Sequence, residues 1–162
     1  MARQKLKKSV KKNDRRLHVI CDDLRSLYNV GSIFRTADGL GIEKIWLCGI
    51  TGTPDQSGLK KVALGAEDAV AWQHVKSSWQ LVEKLKKQGF RIVALELTKN
   101  SQDVKLFKPK FPLALIVGNE VSGVSDVLLK RSDQVIHIPM RGIKESFNVS
   151  VAFGMATYQL MK

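Results

Sequence analysis

The chain has 162 residues, 44% of them apolar and 26% charged, enough to bury one hydrophobic core and too few for two full domains. Its two cysteines, Cys21 and Cys48, exclude a disulfide scaffold or a cysteine-rich zinc site, and no run approaches the roughly 20 apolar residues of a membrane span. Lys and Arg outnumber Asp and Glu by 27 to 15, a net charge of +12, which draws polyanions, nucleic acid first among them.

Taken in chain order, residues 1–16 carry eight Lys or Arg and one acid, Asp14, a net +7. A block of like charge reads as a flexible arm suited to phosphate contacts that add affinity without reading sequence. No apolar run follows the basic start, so no secretory leader is expected and a reducing, cytoplasmic setting is. Residues 17–21 (LHVIC) then read as a first strand and 29–39 as a helix ended by Gly39 and Gly41. A second strand is expected at 45–48 and a weaker third at 69–75. Apolar residues at 79, 81, 82 and 85 have helical spacing, with Gly89 ending the helix at 88. Strands are predicted at 90–97 and 113–117, the latter a continuous apolar run typical of a strand covered on both faces. A short helix at 125–130, a strand at 135–138 and a helix at 146–161 complete the pattern. Alternating strands and helices predict an α/β domain over 17–162 with a mostly parallel sheet flanked by helices.

The last helix leaves almost no polar face: Val149, Val151, Ala152, Phe153, Met155, Ala156, Tyr158, Leu160 and Met161 are all apolar or aromatic. Such a helix is buried on more than one side. At the end of a small domain, that points to a homodimer interface.

Several familiar sites are excluded. Gly39-Leu40-Gly41 lacks the third glycine of a dinucleotide fingerprint, and 49–60 is glycine-rich without Gly-Lys-Ser/Thr. His18, His74 and His137 fall at unrelated spacings inside predicted strands, so no metal is expected. Cys21 and Cys48, among apolar neighbours, read as inert buried thiols.

Three polar clusters remain. NVGSIFRTA (29–37) sets Asn29 near a helix start and Arg35 about two turns on, which alone is compatible with a cap and a surface arginine. GNEVSG (118–123) follows an apolar strand, where open α/β sheets place ligands and where a plain tight turn would also fit. IPMRGIKESFNVS (138–150) links a strand to a helix that Ser146 or Asn148 would cap.

In this order and spacing the three clusters resemble motifs one, two and three of the SpoU/TrmH family of RNA ribose 2′-O-methyltransferases, and KVALGAE (61–67) is similar to the family's linking region. The resemblance covers about 17–162, with one departure at Phe147, where the family more often has Leu. It implies a C-terminal deep trefoil knot, which periodicity does not reveal and general topology rules disfavour. It also implies S-adenosyl-L-methionine on the loops around Leu95, Gly118, Ile138 and Phe147, and a homodimer with its sites near the interface. The substrate implied is RNA, tRNA slightly favoured over rRNA, with an unstacked nucleotide presenting its 2′-hydroxyl.

By the same resemblance Arg35 stands at the 2′-hydroxyl, either as a base relieved of its proton with help from a substrate phosphate or as an orienting, phosphate-neutralising group. Asn29 and Asn148 are expected to fix ribose and cofactor, and Glu120 to orient Arg35 or the loop around it. Ser146 is expected to tie the third motif to the methionine moiety or to cap the helix. Two other readings stand beside this one: a non-catalytic RNA-binding knot protein, and a base-nitrogen methyltransferase of the same superfamily.

Overall fold

The computed structural model describes residues 15–162; the expected basic arm lies outside them except for its last two residues. These are tied to the domain. Arg16 accepts a hydrogen bond from Leu113 N at its carbonyl (2.9 Å), pairs through Nε with Glu43 (3.0 Å) and lays its guanidinium over Phe90. Arg15 Nη1 donates to the Met161 carbonyl at the chain's other end.

Seven parallel strands form one sheet: β1 (Leu17–Asp22), β2 (Lys44–Cys48), β3 (Ala71–Val75), β4 (Arg91–Leu95), β5 (Gln102–Asp103), β6 (Leu113–Val117) and β7 (Gln134–His137), in the order β3-β2-β1-β6-β4-β7-β5. β1 and β6 are buried along their whole length, as the continuous apolar run at 113–117 predicts. Alternation sorts β1 between two cores. Leu17, Val19 and Cys21 face the layer of α1 (Leu27–Leu40), α2 (Ser57–Ala63), α3 (Ala66–Ala69) and α6 (Val149–Leu160). Ile20 faces the layer of α4 (Ser78–Lys87) and α5 (Asp126–Leu129). Both cysteine thiols are buried, and desolvation pushes both pKa values up, which disfavours the thiolate.

Four boundaries differ by two or more residues from the sequence reading, each for a local reason. α1 starts at Leu27 because Ser26 is its cap, its Oγ accepting from Asn29 N; Asn29 is therefore inside the first turn. The last helix starts at Val149, not 146, because Asn148 Oδ1 accepts from Ser150 N (3.0 Å). Ser146 lies in the preceding loop and caps nothing. The third strand begins at Ala71, since α3 occupies the residues before it, and β4 ends at Leu95, where Glu96 Oε1 accepts from Leu97 N. The short α2 and α3 and the two-residue β5 were not expected at all.

α1 and α2 touch through Gly31: a Cβ there would stand 2.7 Å from the Leu59 carbonyl oxygen and 2.9 Å from Val62 Cβ. Gly31→Ala forces these helices apart and is expected to cost about 1–3 kcal/mol, read as a lower Tm in thermal unfolding. Among the described residues no helix is long and apolar enough to cross a membrane.

Candidate active site

β6, β4 and β7 are neighbours, and the loops leaving their carboxyl ends surround a cleft of 660 Å³. Strand ends are where a parallel sheet offers backbone groups and loop side chains to a ligand. Leu95, Gly118, Ile138 and Phe147, the four positions expected to hold cofactor, all line it. The Gly118 backbone leaves no room for a side chain, since a Cβ would run into the backbone of Gly123 and Val124. Residue 118 must be glycine for the 118–124 turn to fold back on itself.

The three motifs meet at the mouth of this cleft. Asn29 Nδ2 donates to Glu120 Oε1 (3.0 Å), and Asn148 Nδ2 donates to Asn29 Oδ1 (3.1 Å). One side chain from each motif, 91 and 119 residues apart in sequence, thus forms a continuous chain. Glu120 also accepts from Arg25 N (2.9 Å, Oε2) and Ser26 N (3.0 Å, Oε1), fastening the β1–α1 loop. Burial pushes its carboxyl up, but the hydrogen bonds from Arg25, Asn29 and Ser26 outweigh that and hold it below its ordinary value. All its recorded partners lie on the loop and Asn29; Arg35 is not among them. Glu120 thus fastens the β1–α1 loop and Asn29 together.

Arg35 is exposed on α1 and has no hydrogen-bond or ion-pair partner among the described residues. Ser146 is exposed on the cleft wall. The structure therefore joins Asn29, Glu120 and Asn148, sets Ser146 on the rim beside them, and leaves Arg35 outside the network on the same helix as Asn29.

Two wall residues escaped the sequence reading. Glu96 accepts from Val124 N (2.9 Å) and Leu97 N (2.9 Å), strapping the β4 loop to the β6 loop across the cleft. Asn119 Oδ1 accepts from Val121 N and Ser122 N, while its Nδ2 donates to the Asp23 carbonyl (2.8 Å). An Asn before a turn is a readable signal for the second; nothing in the sequence marks Glu96. The histidines are scattered: His18 bonds Glu43 and Trp46, His74 bonds the Gly49 carbonyl, and His137 lines the cleft.

A parallel α/β sheet whose cleft is built from three carboxyl-end loops defines a ligand-binding α/β architecture. Solved structures narrow it. The A. aeolicus TrmH/SpoU tRNA modifying enzyme superposes with a TM-score of 0.82 at 31% identity, over 91% of this chain and 76% of that one. The AdoMet-bound rRNA methyltransferase from Sinorhizobium meliloti gives 0.85 at 26%, over 91% and 56%. In sequence, the tRNA (guanosine(18)-2′-O)-methyltransferase of Aquifex aeolicus is 30% identical over 159 residues, 98% of this chain and 75% of the relative. Several other relatives are spanned over only 57–64% of their length. The model of the SpoU rRNA Methylase family matches residues 16–158. The chain belongs to the SpoU rRNA methylase family.

Proposed function

We propose that the protein transfers a methyl group from S-adenosylmethionine to a ribose 2′-hydroxyl of RNA, tRNA being the favoured substrate. The observation that carries this is the Glu120–Asn29–Asn148 chain at the mouth of the cleft lined by Leu95, Gly118, Ile138 and Phe147. The family and the relatives named for 2′-O-methylation of guanosine in tRNA support the same reaction.

The cleft suits the cofactor. Its volume lies within the range of small-molecule sites, and its lining mixes apolar side chains with many polar groups. One of these, His137 Nδ1, is buried without a partner among the described residues. Leu95, Gly118, Ile138 and Phe147 would hold the cofactor, and when bound it supplies a methyl group on a sulfonium whose leaving group is a neutral thioether. No acid is needed for that departure. The demand falls on the acceptor, because a ribose hydroxyl is a weak nucleophile that must lie in line with the methyl. Buried Asn29 holds Asn148 in place at the mouth, and exposed Asn148 is the side chain that meets the nucleotide. Arg35, whose guanidinium has no partner among the described residues, would grip a substrate phosphate and set the 2′-hydroxyl in position. The deep knot implied by the resemblance is part of this proposal.

The enzyme is proposed to act as a homodimer. Val151, Met155 and Tyr158 are 50%, 44% and 64% exposed on α6. Beside them Thr36, Gly39, Leu40 and Gly154 floor a shallow apolar hollow. A second copy seated there buries the apolar face that the fold leaves open. Met155→Glu sets a charge into that face and is expected to weaken dimerisation about 30-fold or more, seen as monomer in sedimentation equilibrium with an unchanged circular dichroism spectrum.

The primary test is transfer of labelled methyl from S-adenosylmethionine to unfractionated cellular RNA, followed by nucleoside analysis. A ribose-methylated nucleoside in the tRNA fraction is expected. A methylated base would make this a base-nitrogen enzyme, and RNA binding without any transfer would make it a non-catalytic binder.

A further inference from the structure

Resting on the RNA methyltransferase reading, the geometry points to Tyr28 as a stacking platform for a base of the unpaired RNA segment that carries the target ribose. Tyr28 is 67% exposed in the first turn of α1 and has no hydrogen-bond partner among the described residues. Isolated exposed aromatics are common; the surroundings of this one set it apart. The next residue is Asn29, bonded to both Glu120 and Asn148 at the cleft mouth. Arg25, whose backbone N–H Glu120 holds, is exposed three residues before Tyr28.

Seven residues further along the same helix lies Arg35. Seven residues are close to two whole turns, so Tyr28 and Arg35 share one solvent-facing stripe about 10.5 Å apart. A base laid on the ring would leave the sugar-phosphate backbone within reach of the unpartnered Arg35 guanidinium. Ile50, 68% exposed, stands on the neighbouring loop, where Ile50 N donates to Asp23 Oδ1 (2.9 Å). It adds apolar surface at the same end of the sheet. An aromatic ring flanked by guanidinium groups on a chain of net charge +12 is the chemistry that binds single-stranded nucleic acid, combining ring stacking with phosphate attraction. The ring is carried by a capped helix, so little order is lost when a base settles on it.

The test uses the full chain and a short single-stranded oligoribonucleotide containing one 2-aminopurine. Wild-type protein is expected to quench the fluorescent base on binding. Tyr28→Ala is expected to abolish the quench and weaken binding about 5- to 150-fold, the range for losing one base–aromatic stack, with an unchanged affinity for S-adenosylmethionine. Tyr28→Phe keeps both quench and affinity. Arg25→Gln keeps the quench and lowers the salt dependence of binding by about one counterion.

Equal quench and affinity in Tyr28→Ala would overturn the assignment, as would loss of the dimer in that variant with RNA affinity intact. If either occurs while the wild type still methylates RNA, only the stacking platform fails. A wild-type protein that neither binds nor methylates RNA would overturn the underlying reading as well.

Discussion

Arg35→Ala is expected to lower methyl transfer to RNA by about 10²- to 10⁴-fold, the range lost when a positioned group acting on the reacting hydroxyl is removed. Binding of S-adenosylmethionine and the Tm should stay at wild-type values. Both expectations rest on the same observation: Arg35 is exposed on α1 and makes no hydrogen bond or ion pair among the described residues. Removing a side chain with no partner changes stability by no more than about 0.5 kcal/mol, and the cleft does not include it. A group so placed has no structural task to lose. Arg35→Lys keeps the charge but not the planar two-point grip on a phosphate, so it should recover only part of the activity. The decisive measurement is single-turnover transfer with enzyme saturated by cofactor. Near-normal rates in Arg35→Ala would remove it from the reaction.

The sheet was legible because its core strands are strongly patterned. The continuous apolar run of β6 and the short run LHVIC of β1 read as strands, and the structure follows both. Gly41, left-handed at the end of α1, stops that helix as expected, whereas Gly39 lies inside it, one residue before its end. The segment between β2 and β3 was not legible. α2 and α3 are seven and four residues long, too short for a helical period to show, and what fixes α2 is the close approach of Gly31, a tertiary contact.

The site divides in the same way. The candidate residues come from three motifs, but the sequence does not say which of them touch. Glu120 bonds Asn29 and the β1–α1 loop across more than 90 residues, so its partners depend on β6 lying directly beside β1. Ser146 and Asn148 were equal candidates for a cap two residues apart. The side chain that reaches Ser150 N decided between them.

Glu120→Ala is the second large effect. It strips acceptors from two backbone N–H groups at the entrance to α1 and from the Asn29 amide, all now bonded to one carboxylate. Glu120 is exposed, and water can replace some of these bonds, so the expected loss of stability is about 1–3 kcal/mol. For a chain of this size that lowers the Tm by about 3–10 °C. The loss of activity should be larger, about 10²-fold, because Asn29 and Asn148 lose their anchor and a displacement near 1 Å is enough to misalign an in-line transfer.

Glu120→Gln keeps the shape but turns an NH₂ group towards at least one of the three donors, so it should fall between alanine and wild type. The pH dependence separates charge from shape. The folded carboxyl titrates below its ordinary value of 4.5, so the folded state binds its proton less readily than the unfolded chain does. Its stabilisation is complete above that ordinary value and is lost as pH falls through the lower folded value. Wild-type stability should therefore decline more steeply than that of Glu120→Gln across the acid limb, and the two curves should run parallel near neutrality. Urea unfolding at a series of pH values measures this directly. Parallel curves throughout the acid range would mean that the charge on Glu120 does not fasten the loop.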